Sequence, residues 1–207
     1  MEAAAIPTPV AHDDHHHHHG PPTANRSSAV EPEKLGILLF IISEAMLFGA
    51  FFAAYFFIRV VSGDAWPPGG HNLPIAVAGT NAAVLLSSSL TMHWTDMSAK
   101  RGNTFGMRAG IVLTFLLGAT FLFIQINVYL HVGFTPKTSA SASVFFGLTG
   151  LHGAHVVIGL LLLFMSAIRI FKGAVGPDAH KGLEVPGIYW HFVDLMWIVV
   201  FTTIYLL

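Results

Sequence analysis

Five apolar segments, each longer than 20 residues, leave this chain few ways to fold. They run over approximately 35–60, 73–97, 106–131, 142–170 and 186–207, with short punctuated loops between them. A helix needs about 20 residues to cross the hydrocarbon core of a bilayer. In lipid every backbone N–H and C=O must be bonded inside the segment, so such runs must be helices, and the helices must pack together. The predicted fold is therefore all-α, a polytopic membrane protein built as a bundle of five transmembrane helices. Composition agrees: 54% of residues are hydrophobic and only 10% charged, too few ionisable groups to cover a water-facing surface.

Loop chemistry supports the boundaries. SGDAWPPGGHN (62–72) carries Gly, Pro and an interfacial Trp, SAKRGNTFG (98–106) is basic, and FKGAVGPDAHKG (171–182) has both breakers. The 174 residues from 34 to 207 thus form one transmembrane domain, preceded over 1–33 by a tail rich in Pro, Ala and His with no apolar period, which reads as disordered. Its run His15 to His19, beside Asp13 and Asp14, has ligand chemistry for a divalent metal but fixes no coordination geometry. The tail lacks the basic start and apolar core of a secretory signal. With no cysteine, disulfides and thiolate metal sites are excluded.

The ten basic residues orient the bundle. Arg26, Lys34, Lys100, Arg101, Arg108, Arg169, Lys172 and Lys181 fall on the side of the N-terminus, and Arg59 and Lys137 on the other. That asymmetry predicts a cytoplasmic N-terminus and an external C-terminus, periplasmic or extracellular for a chain in a bacterial plasma membrane. No internal repeat or broken helix pair suggests a transporter.

Within the spans, a few polar groups demand explanation. Glu44 lies ten residues beyond Lys34, roughly 15 Å deeper at 1.5 Å per residue, near the midplane. A carboxylate there costs at least about 2 kcal/mol unless it is neutral, paired or open to a wet cavity. Two other helices offer partners at similar depth. GLTGLHGAHVVIGL places His152 and His155 three apart, among Gly150, Gly153 and Gly159, and YWHFVDLMW places His191 and Asp194 at the same spacing. The expectation is that Glu44 is protonated or hydrogen-bonded, with His155 or His152 as partner, inside a buried polar cluster of Glu44, His152, His155, His191 and Asp194. Facing histidines have the chemistry of haem ligands, and Glu with His-x-x-His has some of that of a di-iron site. Carboxylate di-iron bundles, however, use several Glu and Glu-x-x-His, whereas these spans supply one central Glu. Interhelical hydrogen bonding, with a role in proton handling or lipid contact, is the simpler reading, with no catalytic, cofactor or metal residue in this chain. His93, Trp94 and Asp96 read as interfacial anchors, Asn81, Gln125 and Asn127 as helix bridges, and Arg59 as a snorkelling end group.

Four ordered stretches carry a resemblance. SEAMLFGAFFAAYF (43–56), WPP (66–68), FFGLTGLHGAHVVIG (145–159) and YWHFVDLMWIVVFTTIYL (189–206) together resemble subunit III of the haem–copper terminal oxidases, over essentially all of 34–207, in the short five-helix form and closest to bacterial cytochrome c oxidase. The resemblance implies an accessory, all-helical subunit of an oxidoreductase complex that passes electrons from cytochrome c to oxygen and pumps protons. It implies that haem and copper sit in the partner catalytic subunit I, that subunit II and other oxidase subunits are partners, and that phospholipid is bound in a cleft between helix groups. It implies support of proton uptake by the neighbour, and no nucleic acid. The family's carbodiimide-reactive Glu aligns with Glu44, its His-Gly-x-His histidines with His152 and His155, and its Trp-His-Phe-Val-Asp motif with Trp190 to Asp194. Longer members have two further N-terminal helices. Many carry Glu where this chain has Val128, and the Trp often found in the first shared helix is replaced within Phe52-Ala53-Ala54-Tyr55, so roles of those groups do not transfer. A quinol oxidase subunit III and an independent membrane metalloprotein remain the alternatives, with Glu44 and WPP favouring the cytochrome c branch.

Overall fold

A computed structural model describes residues 32–61, 73–173 and 179–207. The histidine run and the WPP motif lie outside them. Five helices follow in order, α1 (Pro32–Val61), α2 (Ile75–Lys100), α3 (Thr104–His131), α4 (Ala140–Phe171) and α5 (Ala179–Phe201), closed by a π-helical turn over Thr202–Leu206. All five are long and apolar enough to cross a membrane, and there is no strand among the described residues. The chain is an all-α, multi-pass membrane protein.

Local chemistry sets the helix ends. Past Lys100, the amides of Arg101 and Gly102 bond back to Met97 and Ala99, and Gly102 takes the left-handed φ of 69° that reverses the chain. Asn103 then caps α3, its side-chain oxygen accepting from the Gly106 amide at 3.1 Å. Ser139 caps α4 in the same way through the Ala142 amide. Helix α5 starts at Ala179 and carries Pro186 in its interior, where one helical hydrogen bond is lost.

The helices differ in how much they are enclosed. In its most apolar stretch α5 is 56% buried and α1 only 6%, so α5 runs through the middle of the bundle and α1 lies along its side. Because lipid tails are as apolar as leucine, helices associate here by close packing of small residues and by hydrogen bonds. Helices α2 and α3 pack at a run of small side chains. A Cβ on Gly106 would come 2.5 Å from Ser98 Oγ, and one on Gly110 would come 2.3 Å from Thr95 Oγ1. Between them, Thr91 and Thr114 hydroxyls meet at 2.8 Å. Gly110→Val is expected to force α2 and α3 apart and to cost about 1–3 kcal/mol. The check is a lowered thermal midpoint of the purified protein; an unchanged midpoint would contradict the packing.

The bundle's centre is an indole. Trp190 of α5 is fully buried, its ring lying between Gly118 of α3 and Gly159 of α4, and its Nε1 donates to Ser88 Oγ of α2 at 2.9 Å. At the far end, the Tyr55 hydroxyl donates to the Thr203 carbonyl at 2.9 Å and Arg59 donates to both Tyr55 and the Leu207 carbonyl. Arg59, at the end of α1, thus also ties that helix to the closing π-helical turn, which leaves main-chain oxygens free to accept.

Candidate functional site

Helix α1 is fastened to the bundle by polar contacts at three levels. Lys34 pairs with Glu184 of α5 at 2.9 Å at one end, and Tyr55 and Arg59 hold the closing turn at the other. Midway, Glu44 Oε2 lies 2.9 Å from His155 Nε2 of α4. The carboxyl side chain is 20% exposed and the imidazole 6%. The Phe48 ring sits 5.0 Å from the imidazole, and the Tyr189 hydroxyl donates to the His155 carbonyl at 3.3 Å.

The second ring nitrogen decides the proton inventory of this pair. His155 Nδ1 is 2.8 Å from the Leu151 carbonyl oxygen, which can only accept, so Nδ1 carries a hydrogen. Nε2 and Oε2 then share one further proton. Either a neutral imidazole accepts from the Glu44 hydroxyl, or an imidazolium donates to the carboxylate. Both arrangements have no net charge, which is how a carboxyl comes to sit in the middle of an apolar helix without an isolated ion in lipid.

The other three expected members lie elsewhere. His152 is fully buried, its ring 4.7 Å from Trp197 and edge-on to Phe121 at 5.6 Å, with neither nitrogen hydrogen-bonded. His191 is exposed, and its Nδ1 lies 2.6 Å from Ser89 Oγ of α2. Asp194, one turn further along α5, is 3% exposed with neither oxygen hydrogen-bonded, and Ser89 lies beside it. No hydrogen bond joins His191, Asp194 or His152 to the Glu44–His155 pair among the described residues. The five residues therefore separate into a proton-sharing clasp between α1 and α4, a histidine of α5 bonded to Ser89 of α2 with the buried Asp194 one turn on, and one histidine in an aromatic box.

His191 also faces a cavity of about 290 Å³ with His93, Asp96, Lys100 and Glu184 on its walls. Asp96 pairs there with Lys100 at 2.6 Å, while Trp94 is exposed as an interfacial anchor would be. His191 on this cavity wall stands one helical turn from Asp194, with Ser89 beside both. Of the expected bridges, Asn81 donates to the Phe121 carbonyl at 3.2 Å, linking α2 to α3. Gln125 is buried near Tyr129 and Tyr205, and Asn127 is exposed on the helix surface, with no side-chain bond to another helix among the described residues. Sequence reasoning passed over Ser88 and Ser89. Their signal was three consecutive serines, Ser87 to Ser89, in the middle of an apolar span. No group of three or more His, Asp and Glu that could hold a metal occurs among the described residues.

Comparison with known proteins gives one consistent likeness. A family model described as cytochrome c oxidase subunit III matches residues 18–207, which take in all five helices. A protein of Thermostichus vulcanus named cytochrome c oxidase subunit 3 is 40% identical over 174 residues, 84% of this chain and 86% of its own length. Its namesake in Corynebacterium diphtheriae is 38% identical over 176 residues, covering 83% and 86%. That of Oryctolagus cuniculus is 36% identical over 178 residues, covering 83% of this chain and 68% of the relative.

Proposed function

Because the chain belongs to the cytochrome c oxidase subunit III family, we propose that it is the accessory membrane subunit of a respiratory cytochrome c oxidase and supports the catalytic subunit through packing, bound lipid and proton supply. Electrons pass from cytochrome c to oxygen in the partner subunits, which hold the haem and copper. This chain contributes helices, a face for its neighbours and protonatable groups. The observation that carries the reading is the polar content of the bundle: the Glu44–His155 clasp between α1 and α4, and the Ser89–His191 contact between α2 and α5 beside the buried Asp194.

The geometry suits such a role at two places. Helix α1 is covered so little by its own chain that Leu39, Met46 and Phe57 face outward, an apolar surface that fits lipid or a neighbouring subunit. On the inner side, the cavity lined by the ionisable side chains of His93, Asp96, Glu184 and His191 stands one turn from the buried Asp194. The basic residues favour a bacterial plasma membrane topology with the Lys34 end cytoplasmic, so that the cavity opens to the side from which protons are taken.

Purification through this chain from native membranes tests the assignment. The expected product is a multi-subunit complex containing haem and copper that oxidises reduced cytochrome c. An oxidase complex purified through its catalytic subunit and lacking this chain would overturn the assignment, and one taking electrons only from quinol would overturn the donor.

A further inference from the structure

Inside the closing turn lies a group of polar atoms that none of the contacts above satisfies. Helix α5 ends at Phe201, and the chain widens into the π-helical turn Thr202–Leu206, where the Leu207 amide donates back to the Thr202 carbonyl at 3.1 Å. Single π turns occur frequently at functional sites. On this one Tyr205 points inward, 6% exposed, its ring stacked on Phe201 at 5.3 Å and edge-on to Phe145 of α4 at 6.3 Å. Its hydroxyl stands beside Tyr129 and Gln125 of α3, and the Tyr129 hydroxyl stands beside Gln125 and Thr149 of α4. Gln125 is 2% exposed and Thr149 is fully buried. Yet among the described residues neither tyrosine hydroxyl makes a hydrogen bond, and neither does the Gln125 amide nitrogen. Thr149 Oγ1 donates to the Phe145 carbonyl at 2.7 Å, which leaves its lone pairs open. Gln125 precedes His131, the last residue of α3, by six positions, so the group lies roughly 9 Å in from that end of the helix.

We propose that Gln125, Tyr129, Thr149 and Tyr205 hold one buried water molecule, which joins α3 and α4 to the closing turn. Buried donors in a packed interior nearly always have an acceptor, and here three of them stand side by side with none. Polar groups that adjoin just outside bonding range have the geometry that a bridging water completes. Gln125 and Tyr205 donate to the two lone pairs of the water, and its hydrogens go to the Tyr129 and Thr149 oxygens, so each of the four groups gains a bond. An ion fits less well, because no charged side chain stands beside either hydroxyl among the described residues to compensate it. The water is the inward counterpart of Tyr55 and Arg59, which hold the carbonyls of the turn to α1. The bridge expected of Gln125 is made through it. The site rests on hydrogen-bonding groups alone and stands independently of the oxidase assignment.

The test is millisecond radiolytic labelling of the protein purified in its native assembly, in which hydroxyl radicals formed from bound water oxidise the side chains that touch it. Tyr205 is expected to be labelled. Tyr189, 1% exposed and bonded to the His155 carbonyl, is expected to stay unlabelled. Gln125→Leu, which replaces the amide by an apolar side chain of similar size, should remove the label from Tyr205. Thermal midpoints give a second readout, by sign. With water in place, Tyr129→Phe and Tyr205→Phe each break a bond and lower the midpoint, and the double variant lowers it by less than the sum because both groups share one water. With no water, each Phe removes an unpaired buried hydroxyl and raises the midpoint. Absence of label on Tyr205, label that survives Gln125→Leu, a raised midpoint in either single variant, or strictly additive losses would each overturn the proposal.

Discussion

Trp190→Ala is expected to cost about 3–5 kcal/mol and to loosen every helix contact around α5. The residue is fully buried and touches three neighbouring helices at once. A Cβ on Gly118 would stand 2.5 Å from the far edge of the indole, and one on Gly159 would stand 2.8 Å from its other face, so the ring fills the space that both glycines vacate. Truncation leaves that space empty on both sides and strips Ser88 of its donor. In a membrane the loss is of packing rather than of hydrophobic transfer, because the unfolded reference is already in lipid, and lost dispersion contacts still weigh directly. Trp190→Phe keeps most of the ring and forfeits the N–H, so about 1–2 kcal/mol is expected. Thermal dissociation of this subunit from the purified complex measures both, with the order wild type, Phe, Ala from most to least stable. Equal midpoints for wild type and Ala would show that the indole does not hold the bundle.

Much of this architecture is readable from residue types. Five uninterrupted apolar runs admit only helices in lipid, and the depth of Glu44 requires a partner, for which α4 offers two histidines. What the sequence lacks is the azimuth. At 3.6 residues per turn, positions three apart differ by about 60° around the axis. On an exposed helix that makes neighbours. At a packed interface it is enough to send His155 toward Glu44 of α1 and His152 toward Phe121 and Trp197 of α3 and α5. The same offset leaves His191 exposed and Asp194 buried. Which helix adjoins which is a property of the whole bundle, and no periodicity within one span encodes it. For that reason the serine on α2 that meets His191 could not be found by spacing.

The clasp allows a sharp comparison of two substitutions at Glu44. Glu44→Gln replaces the shared proton by an amide N–H that still donates to Nε2, with Nδ1 still donating to Leu151. Its cost is expected to stay within about 1 kcal/mol, and the assembled complex should reduce oxygen at close to the normal rate. Glu44→Ala removes the donor and leaves a 6% exposed imidazole with an unpaired nitrogen, which costs about 1–3 kcal/mol. The effect should be seen as a subunit that leaves the complex at lower temperature. The ordering follows from hydrogen-bond satisfaction and is independent of where the proton rests between Oε2 and Nε2. A Gln variant that assembles with unchanged thermal stability but has lost most of its turnover would require the proton itself, rather than the bond, to be what the oxidase uses.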